Sequence, residues 1–231
     1  MARFLGVDGC RSGWFAAWHE GGRTYGEIYA SAENILEAHP DVEKVMVDIP
    51  IGLKADTPRE LESAVRRQLG PRKSSVFPVP CYDAAYAPDY EAASAINRQR
   101  IGKGLSKQAW FICPRICDVD RLLRSNEVTR NILGECHPEL AFAYLHGAPL
   151  SSSKKNEVGQ SQRRGVLQPY IPDLTEFIDG MLARFPRRDL QLDDCLDALA
   201  LVITAMKPSL LATAVETGVG DIQIRMWVPD C

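Results

Sequence analysis

The sequence lacks a long apolar run, a secretory leader and a charge excess of either sign. No apolar segment approaches the roughly 20 residues that a helix needs to cross a bilayer. The start, MARFLGVDGC, shows a strand pattern without the apolar core and cleavage site of a signal peptide. These absences predict a cytoplasmic protein with no membrane partner. With 27 Lys and Arg against 30 Asp and Glu, the net charge of −3 gives no global indication of a nucleic-acid partner.

Cysteine is too scarce for a disulfide-rich domain. The chain has seven cysteines among 231 residues, and their odd number and irregular spacing argue against a disulfide framework. Only Cys113 and Cys117 stand close together, and no second pair lies at the spacing of a zinc site. We therefore expect reduced and mostly buried thiols instead of disulfides or structural zinc.

The apolar patterns of the first fifty residues predict part of a mixed sheet. RFLGV, WFAAWH and TYGEIYA are predicted strands, and HEGGR predicts a hairpin turn between the second and third. Ser31 is expected to cap a short helix, AENILEAH. The run KVMVDI then predicts a fourth strand of the continuous apolar type that parallel sheets bury.

Helical patterns dominate the rest of the chain. Thr57-Pro58 is expected to open a helix, and the Pro-rich residues 70–88 predict an ordered loop. A fifth strand is predicted near 131–135, and the tail IQIRMWV predicts a final strand. Without internal repeats or linkers, residues 1–231 are expected to form one domain with a helical insertion at about 70–130, between the fourth and fifth strands. Further helices are predicted at about 89–100, 107–125, 138–146, 173–185 and 193–206, the last capped by Asp193 or Asp194.

Acidic residues stand at strand ends and at the start of the last helix. Asp8 ends the first strand, and Asp48 lies in an apolar run where an unpaired charge is costly to bury. Asp194 and Asp197 stand with Asp193 within five residues, a spacing at which like charges destabilise a helix. Converging carboxylates need a cation, so these acids predict a Mg²⁺ or Mn²⁺ site. Simple helix capping is the alternative.

The motif GECHPE adds further polar side chains near the fifth strand. Glu135 is a candidate outer ligand, and His137 is a candidate base or phosphate contact. A structural role is the alternative for His137. Asp193 completes this auxiliary set. The segment GKGLSK lacks the full spacing of a phosphate-binding P-loop.

Six motifs together resemble the domain of unknown function 429 family, which is described as predicted RNase H-like nucleases. They are GVDGCRSGW, VDIPIGL, GPRKSSVFPVP, GKGLSKQAW, ECHPE and DDCLDALA, and the resemblance extends from about residue 4 to 228, with residues 154–164 departing from the family pattern. It implies an α/β, RNase H-like mixed sheet flanked by helices. It also implies that Asp8, Asp48, Asp194 and Asp197 are the catalytic, metal-binding residues. Candidate substrate contacts in these motifs are Arg11, Arg72, Lys73, Ser74, Ser75, Lys103, Ser106 and Gln108.

Three functions fit these patterns. The first is a nuclease that hydrolyses phosphodiester bonds by a carboxylate-held two-metal mechanism. The second is a nucleotide-dependent phosphotransferase or hydrolase of the actin-like ATPase superfamily, although such proteins usually need a duplicated domain and a second Asp-Gly loop. The third is a non-catalytic binding protein in which the acids only cap and turn. Local basic clusters leave nucleic acid open as a partner, and a homodimer also stays open.

Overall fold

The computed structural model describes residues 3–213 and 215–230. Over these ranges the chain is a mixed α/β structure in which helices flank a five-stranded sheet. The strands are β1 Arg3–Cys10, β2 Gly13–Glu20, β3 Arg23–Tyr29, β4 Val42–Val47, β5 Leu133–Glu135, β6 Pro208–Leu210, β7 Glu216–Thr217, β8 Gln223–Ile224 and β9 Trp227–Pro229. The helices are α1 Ala32–Ala38, α2 Leu61–Leu69, α3 Tyr82–Ala85, α4 Tyr90–Ile101, α5 Lys107–Ser125, α6 Glu127–Ile132, α7 Pro138–His146, α8 Glu157–Leu167, α9 Leu174–Arg184 and α10 Leu192–Met206.

The central strand of the large sheet is β1. The strand order is β3-β2-β1-β4-β5. β2 pairs antiparallel with both β1 and β3, whereas β4 pairs parallel with both β1 and β5. The hairpin between β2 and β3 turns at Gly21 and Gly22, whose φ angles of 60° and 77° suit a two-residue hairpin turn. Because β1, β4 and β5 are parallel, their carboxyl ends share one edge of the sheet, where ligands bind in open α/β folds.

Apolar side chains alternate between the two faces of the sheet. Val45 and Val47 of β4 pack in one cluster with side chains of α1 and α5. Met46, between them, packs in the opposite cluster with α7, α9 and α10. This alternation follows from the two-residue period of a strand, and it explains why the predicted run KVMVDI is apolar throughout.

The closest contact between a helix and the sheet is that of α10 with β1. A Cβ atom on Gly6 would lie 2.0 Å from the Ala198 carbonyl oxygen and 2.4 Å from the Val202 nitrogen. Only glycine allows the two backbones to approach so closely. Since α10 is apolar on nearly all sides and buried from Cys195 to Ala205, it is fixed across the sheet.

Most of the predicted elements are present, and their ends show the main differences. The short helix is α1, and the Ser31 hydroxyl accepts a hydrogen bond from the Asn34 N–H as its cap. Helices α2 to α6 lie between β4 and β5 in the chain. Residues 70–88 are ordered, since they contain a 3-10 turn, Gly70–Ser75, and the short helix α3. Helix α8 forms within the polar and charged segment 151–168, whose sequence pattern favours a helix only weakly.

The predicted start of one helix and the predicted cap of another are wrong. Helix α2 begins at Leu61 and not at Thr57-Pro58, because the Glu216 carboxylate accepts hydrogen bonds from the Glu60 and Leu61 N–H groups at 2.9 and 3.1 Å. The cap of α10 is Gln191, and neither predicted aspartate takes that position. The carboxylate of Asp194 instead reaches back to the Gln191 N–H at 2.8 Å, which is one half of a capping box.

The predicted tail strand is divided into two. β8 pairs with β7, whereas β9 pairs with β6 in a separate two-stranded sheet. Between them Met226 forms a single parallel bridge to Glu135, and its carbonyl accepts a hydrogen bond from the Leu211 N–H at 2.9 Å. The chain therefore crosses from one small sheet to the other instead of extending the large one.

The structure can be compared with the predictions on membrane-spanning segments and on the cysteines. Over the described ranges, no helix is long and apolar enough to cross a membrane. Six cysteines are buried and form no disulfide with one another, which confirms the predicted burial for those positions; they are Cys10, Cys81, Cys113, Cys117, Cys136 and Cys195. Cys231 lies outside the described residues.

Candidate carboxylate site

Four acidic side chains approach one another at one edge of the large sheet. Asp8 lies near the end of β1, and Asp48 follows the neighbouring parallel strand β4 directly. The Asp48 N–H donates to the Val7 carbonyl at 3.0 Å and fixes this register. Asp194 and Asp197 lie in the first two turns of α10. The backbone contact between α10 and β1 brings these turns to the same edge.

Burial and mutual repulsion raise the pKa of all four carboxyl groups. Burial, followed by the charges of Asp48 and Asp197, raises the pKa of Asp8 well above its ordinary value. Burial raises the pKa of Asp48 to about 7, with two neighbouring glutamates acting in the same direction. It also raises the pKa values of Asp194 and Asp197 to about 6. Carboxyl groups whose charged forms are disfavoured by burial and by one another are stabilised by a nearby cation.

A lysine supplies positive charge to this site. The Lys154 ammonium nitrogen lies 2.5 Å from Oδ2 of Asp197 and 3.6 Å from Oδ2 of Asp193. Burial opposes the charged form of Lys154, but the charges of Asp197, Asp8 and Asp48 outweigh burial and raise the pKa of the lysine. Lys154 lies in the segment between α7 and α8. Because its pKa is raised, it is a charged ammonium group among the carboxylates.

Glu135, a predicted auxiliary ligand, is held by an arginine. Nη2 of Arg59 lies 2.7 and 2.9 Å from the two carboxylate oxygens of Glu135, and the Ile51 N–H donates to Oε2 at 2.8 Å. Arg59 also contacts Glu62 at 2.9 Å. All three charged side chains are buried. Glu135 therefore forms a buried ion pair, and its charge acts on Asp48 from a distance.

His137 lies just after β5, at the N-cap position of α7. Its Nε2 is 3.4 Å from the Ser75 carbonyl oxygen, and its buried Nδ1 has no hydrogen-bond partner in the described part of the chain. Burial lowers the pKa of His137, which favours the neutral imidazole at neutral pH. A carbonyl oxygen can only accept a hydrogen bond, so this contact assigns the ring proton to Nε2 and the lone pair to Nδ1.

A polar cleft of about 460 Å³ opens beside the carboxylates. It places acidic, basic and hydroxyl groups within one concave surface. Its lining residues are Asp48, Arg72, Ser74, Ser75, Phe77, Gln108, His137, Pro138, Glu139, Ser153, Lys154, Lys155 and Asp197. Arg72 lies 3.5 Å from Glu139, whereas Lys155 is exposed and has no ion pair with another described residue. The cleft therefore has positive charge available for an anionic ligand.

The cleft divides the predicted substrate contacts into two groups. Arg72, Ser74, Ser75 and Gln108 line it. The other four do not. Arg11 is exposed in the turn between β1 and β2, Lys73 and Lys103 are exposed, and the Ser106 hydroxyl caps α5 by accepting a hydrogen bond from the Ala109 N–H at 3.1 Å. Arg72, Ser74 and Ser75 of the 3-10 turn and Gln108 of α5 are thus the predicted substrate contacts that share a cleft with Asp48 and Asp197.

The donor set can be compared with the needs of a divalent cation. Mg²⁺ and Mn²⁺ prefer carboxylate oxygens, and the Asp48 carboxylate accepts no hydrogen bond from any described residue. Yet over residues 3–213 and 215–230 no three His, Cys, Asp or Glu side chains are arranged to hold a metal ion. The side chains fit such an ion in chemistry but not in their present arrangement, in which the Lys154 ammonium group contacts Asp197.

The range from β1 to the segment after α10 matches a family. Residues 6–211 match the family described as protein of unknown function (DUF429). This chain belongs to the DUF429 family. No curated protein and no solved structure matches it. The matched range of this DUF429 protein contains all four carboxylates together with Lys154, so the resemblance to the family is confirmed. The description of the matched family names no activity, so the nuclease affiliation that the resemblance implies is not shown by this match.

Sequence reasoning missed Lys154 in this DUF429 protein. Lys154 and Lys155 form a basic pair in a polar stretch, which is also the pattern of a solvated surface. Lys154 is 43 residues away from Asp197 in the chain, and only the path from α7 to α8 brings the two together. The available signal was indirect. Buried carboxylates need a counter-charge, and the basic pair Lys154-Lys155 lies in the polar segment that follows the motif GECHPE and helix α7.

Proposed function

We propose that this DUF429 protein is a cytoplasmic, divalent-metal-dependent nuclease with an RNase H-like fold that hydrolyses phosphodiester bonds. The single observation that carries this proposal is the meeting of Asp8, Asp48, Asp194 and Asp197, all with raised pKa values, at one sheet edge. The order β3-β2-β1-β4-β5 supports the RNase H-like assignment. The free buried thiols suit a reducing compartment.

Each group in the cleft has a role under this proposal. Asp8, Asp48, Asp194 and Asp197 would hold Mg²⁺ or Mn²⁺, which in such sites activates a water molecule and stabilises the leaving oxygen. Among the side chains that line the cleft, the basic Arg72 and Lys155 would bind the phosphate. The polar Ser74, Ser75 and Gln108 would orient it.

A cleavage assay with matched variants tests the proposal. Purified protein is incubated with labelled single-stranded DNA, single-stranded RNA, duplex DNA and an RNA–DNA hybrid, in Mg²⁺, in Mn²⁺ or in EDTA. We expect cleavage with at least one ion and none in EDTA. Asp48→Asn should lower the rate by about 100-fold or more, since even outer-shell changes at metal sites cost roughly 10–100-fold. Asp41→Asn, on an exposed turn before β4, should leave the rate unchanged.

Two results would contradict the nuclease. One is the absence of cleavage with all four substrates and both ions. The other is cleavage that survives Asp48→Asn and Asp8→Asn unchanged, because the activity would then come from a contaminating enzyme or from another site.

One observation favours a second candidate, a non-catalytic binding protein. The Lys154 ammonium group neutralises Asp197 without any metal ion. If this ion pair is the permanent state of the site, Mg²⁺ and Mn²⁺ should leave the melting temperature unchanged. A ligand that binds only the folded state must raise it. Thermal unfolding across an ion titration therefore separates the two candidates.

A further inference from the structure

A second cavity adjoins the polar cleft. Its volume is about 140 Å³, and it shares Asp48, Ser75, Phe77 and His137 with the cleft. These shared residues place the two spaces side by side at the carboxylate site. Unlike the cleft, this cavity has mostly apolar walls, to which Ile49, Val65, Val76, Val79, Ile112 and Met226 contribute.

The size and walls of the apolar cavity suit one aromatic ring. An apolar protein cavity of about 150 Å³ is known to accept benzene, and the volume here is close to that. Phe77 stands at the boundary with the cleft and is 39% exposed. An exposed phenylalanine at a cavity mouth can stack on a flat ring, as aromatic side chains do on single-stranded bases.

Polar atoms among the apolar walls favour a ring with hydrogen-bonding edges over a plain hydrocarbon. The Nδ1 atom of His137 is buried without a hydrogen-bond partner in the described part of the chain. Glu62, another lining residue, is 7% exposed, and its described ion pair is with Arg59. An unsatisfied buried polar atom is costly, so a ligand that donates a hydrogen bond to it would gain affinity.

Charge in the adjoining cleft identifies the rest of the ligand. Two of the three basic side chains in the cleft are paired with lining carboxylates, Arg72 with Glu139 and Lys154 with Asp197. Lys155, which has no ion pair with a described residue, can attract an anionic group there while a ring occupies the apolar cavity. A nucleotide has this arrangement, with a phosphate on one side of the sugar and a base on the other. A base stacked inside a duplex cannot enter a walled cavity, whereas an unstacked base can.

We propose that the apolar cavity binds the pyrimidine base of a nucleotide whose phosphate lies in the polar cleft. The single six-membered ring of a pyrimidine fits a cavity of about 140 Å³. The larger bicyclic ring of a purine fills more of the same space, so we expect the pyrimidine to bind more tightly. This inference rests on the proposed function and specifies it: the substrate class is single-stranded or locally opened nucleic acid, with the base unstacked next to the cleaved bond.

Calorimetric binding of three probes tests the cavity without requiring catalysis. The probes are uridine 5′-monophosphate, adenosine 5′-monophosphate and ribose 5-phosphate, each titrated into the full-length protein. We expect uridine monophosphate to bind at least tenfold more tightly than ribose 5-phosphate. Phe77→Ala should reduce this preference by about tenfold, the typical effect of one base–aromatic stack. Phe111→Ala, which removes a phenylalanine that is 69% exposed and outside the cavity lining, should leave it unchanged.

A second variant covers the case in which Phe77 contributes little. Ile112→Trp fills the cavity from α5 and should abolish the preference while ribose 5-phosphate still binds, with the melting temperature checked to confirm folding. Equal binding of uridine monophosphate and ribose 5-phosphate by the wild type overturns the proposal. Tighter binding of adenosine monophosphate overturns it as well, and so does a preference that survives Ile112→Trp.

The outcomes of this experiment and of the cleavage assay are independent. If the protein prefers uridine monophosphate but cleaves no nucleic acid, the result supports the base site and contradicts the nuclease. If it cleaves nucleic acid but binds the three probes equally, the result contradicts the base site alone.

Discussion

Lys154 decides which cation neutralises the carboxylate site. Its ammonium nitrogen already lies 2.5 Å from Asp197 and feels the charges of Asp8 and Asp48. An ammonium group and a divalent ion a few ångströms apart repel each other by several kcal/mol at the effective dielectric constants of protein sites. Under the proposed function, a metal ion would have to displace the Lys154 ammonium group, and the lysine would then compete with the metal for the carboxylates.

The variant Lys154→Met removes this competitor while keeping most of the apolar stem. We expect it to bind Mn²⁺ about tenfold or more tightly than the wild type, because the ion no longer displaces a charged group. Titration of free Mn²⁺ by electron paramagnetic resonance measures the affinity directly. Lys155→Met is the matched control, since Lys155 is exposed and makes no ion pair with a described residue, and it should change the affinity little. Weaker binding by Lys154→Met would show that the lysine supports the ion.

At the scale of single residues, the sequence identifies charges but not their partners. Asp48 and Asp197 were recognisable because apolar neighbours surround them, and burial of both carboxyl groups follows from the same pattern. The partner of Glu135 was not recognisable, since Arg59 lies 76 residues earlier in the chain and no local spacing relates the two. Lys154 escaped for the same reason. Ion pairs between distant elements depend on the path of the chain and not on local propensity.

Contacts between elements depend on small residues and on caps from distant segments. The hydrophobic periods of α4, α5, α7, α9 and α10 were enough to predict these helices to within a few residues. The start of α2 was not predictable, because its first N–H groups bind Glu216, which lies 156 residues away from Glu60. Local sequence specifies the body of a helix, whereas tertiary contacts can move its ends.

The contact between β1 and α10 gives a prediction at this scale. In Gly6→Ala the new methyl group would meet backbone atoms of Ala198 and Val202, which cannot rotate away. We expect a loss of about 1–3 kcal/mol in the free energy of unfolding, the usual cost of overpacking, which lowers the melting temperature by roughly 2–12 °C. Because α10 carries Asp194 and Asp197, Mn²⁺ affinity should fall too. Thermal unfolding and the Mn²⁺ titration measure the two effects.

The control for this variant is Gly165→Ala in α8. A Cβ atom there would have no neighbour within 4 Å. Replacing an unhindered helical glycine by alanine stabilises a helix by up to about 1 kcal/mol. A decrease in stability for both variants would remove close packing as the explanation for Gly6.

At the scale of the whole molecule, the fold holds carboxyl groups that repel one another at one edge of its sheet. The sheet order and the buried helix α10 stabilise the protein through apolar packing, and this packing holds Asp8, Asp48 and Asp197 together although their charges repel. Sites that are strained in this way are typical of function, since relaxing them raises stability and removes activity. The edge where burial and repulsion raise the pKa values of these carboxyl groups is also the edge that the proposed function uses.

This repulsion makes stability depend on pH in a defined direction. The pKa of Asp48 is about 7 in the folded protein, above its ordinary value of 3.8. The folded state thus binds more protons than the unfolded state between these values, and the free energy of unfolding falls as pH rises through this window. The penalty is absent below about pH 3.8, grows towards pH 7 and stays constant above it. His137, whose pKa is lowered, acts in the opposite sense at acidic pH.

Comparison with Asp48→Asn separates the contribution of Asp48 from that of the other groups. The amide cannot ionise, so the variant should melt at a higher temperature than the wild type at pH 7.5, by at least the 2–4 °C that corresponds to about 1 kcal/mol in a protein of this size. This difference should shrink as pH falls towards 4, where the penalty on the wild type disappears. Saturating Mn²⁺ should also shrink it at pH 7.5, because the ion stabilises the wild-type carboxylates. A difference that is independent of pH would mean that Asp48 is not under electrostatic strain, and the site would then lose its main reason to bind a cation.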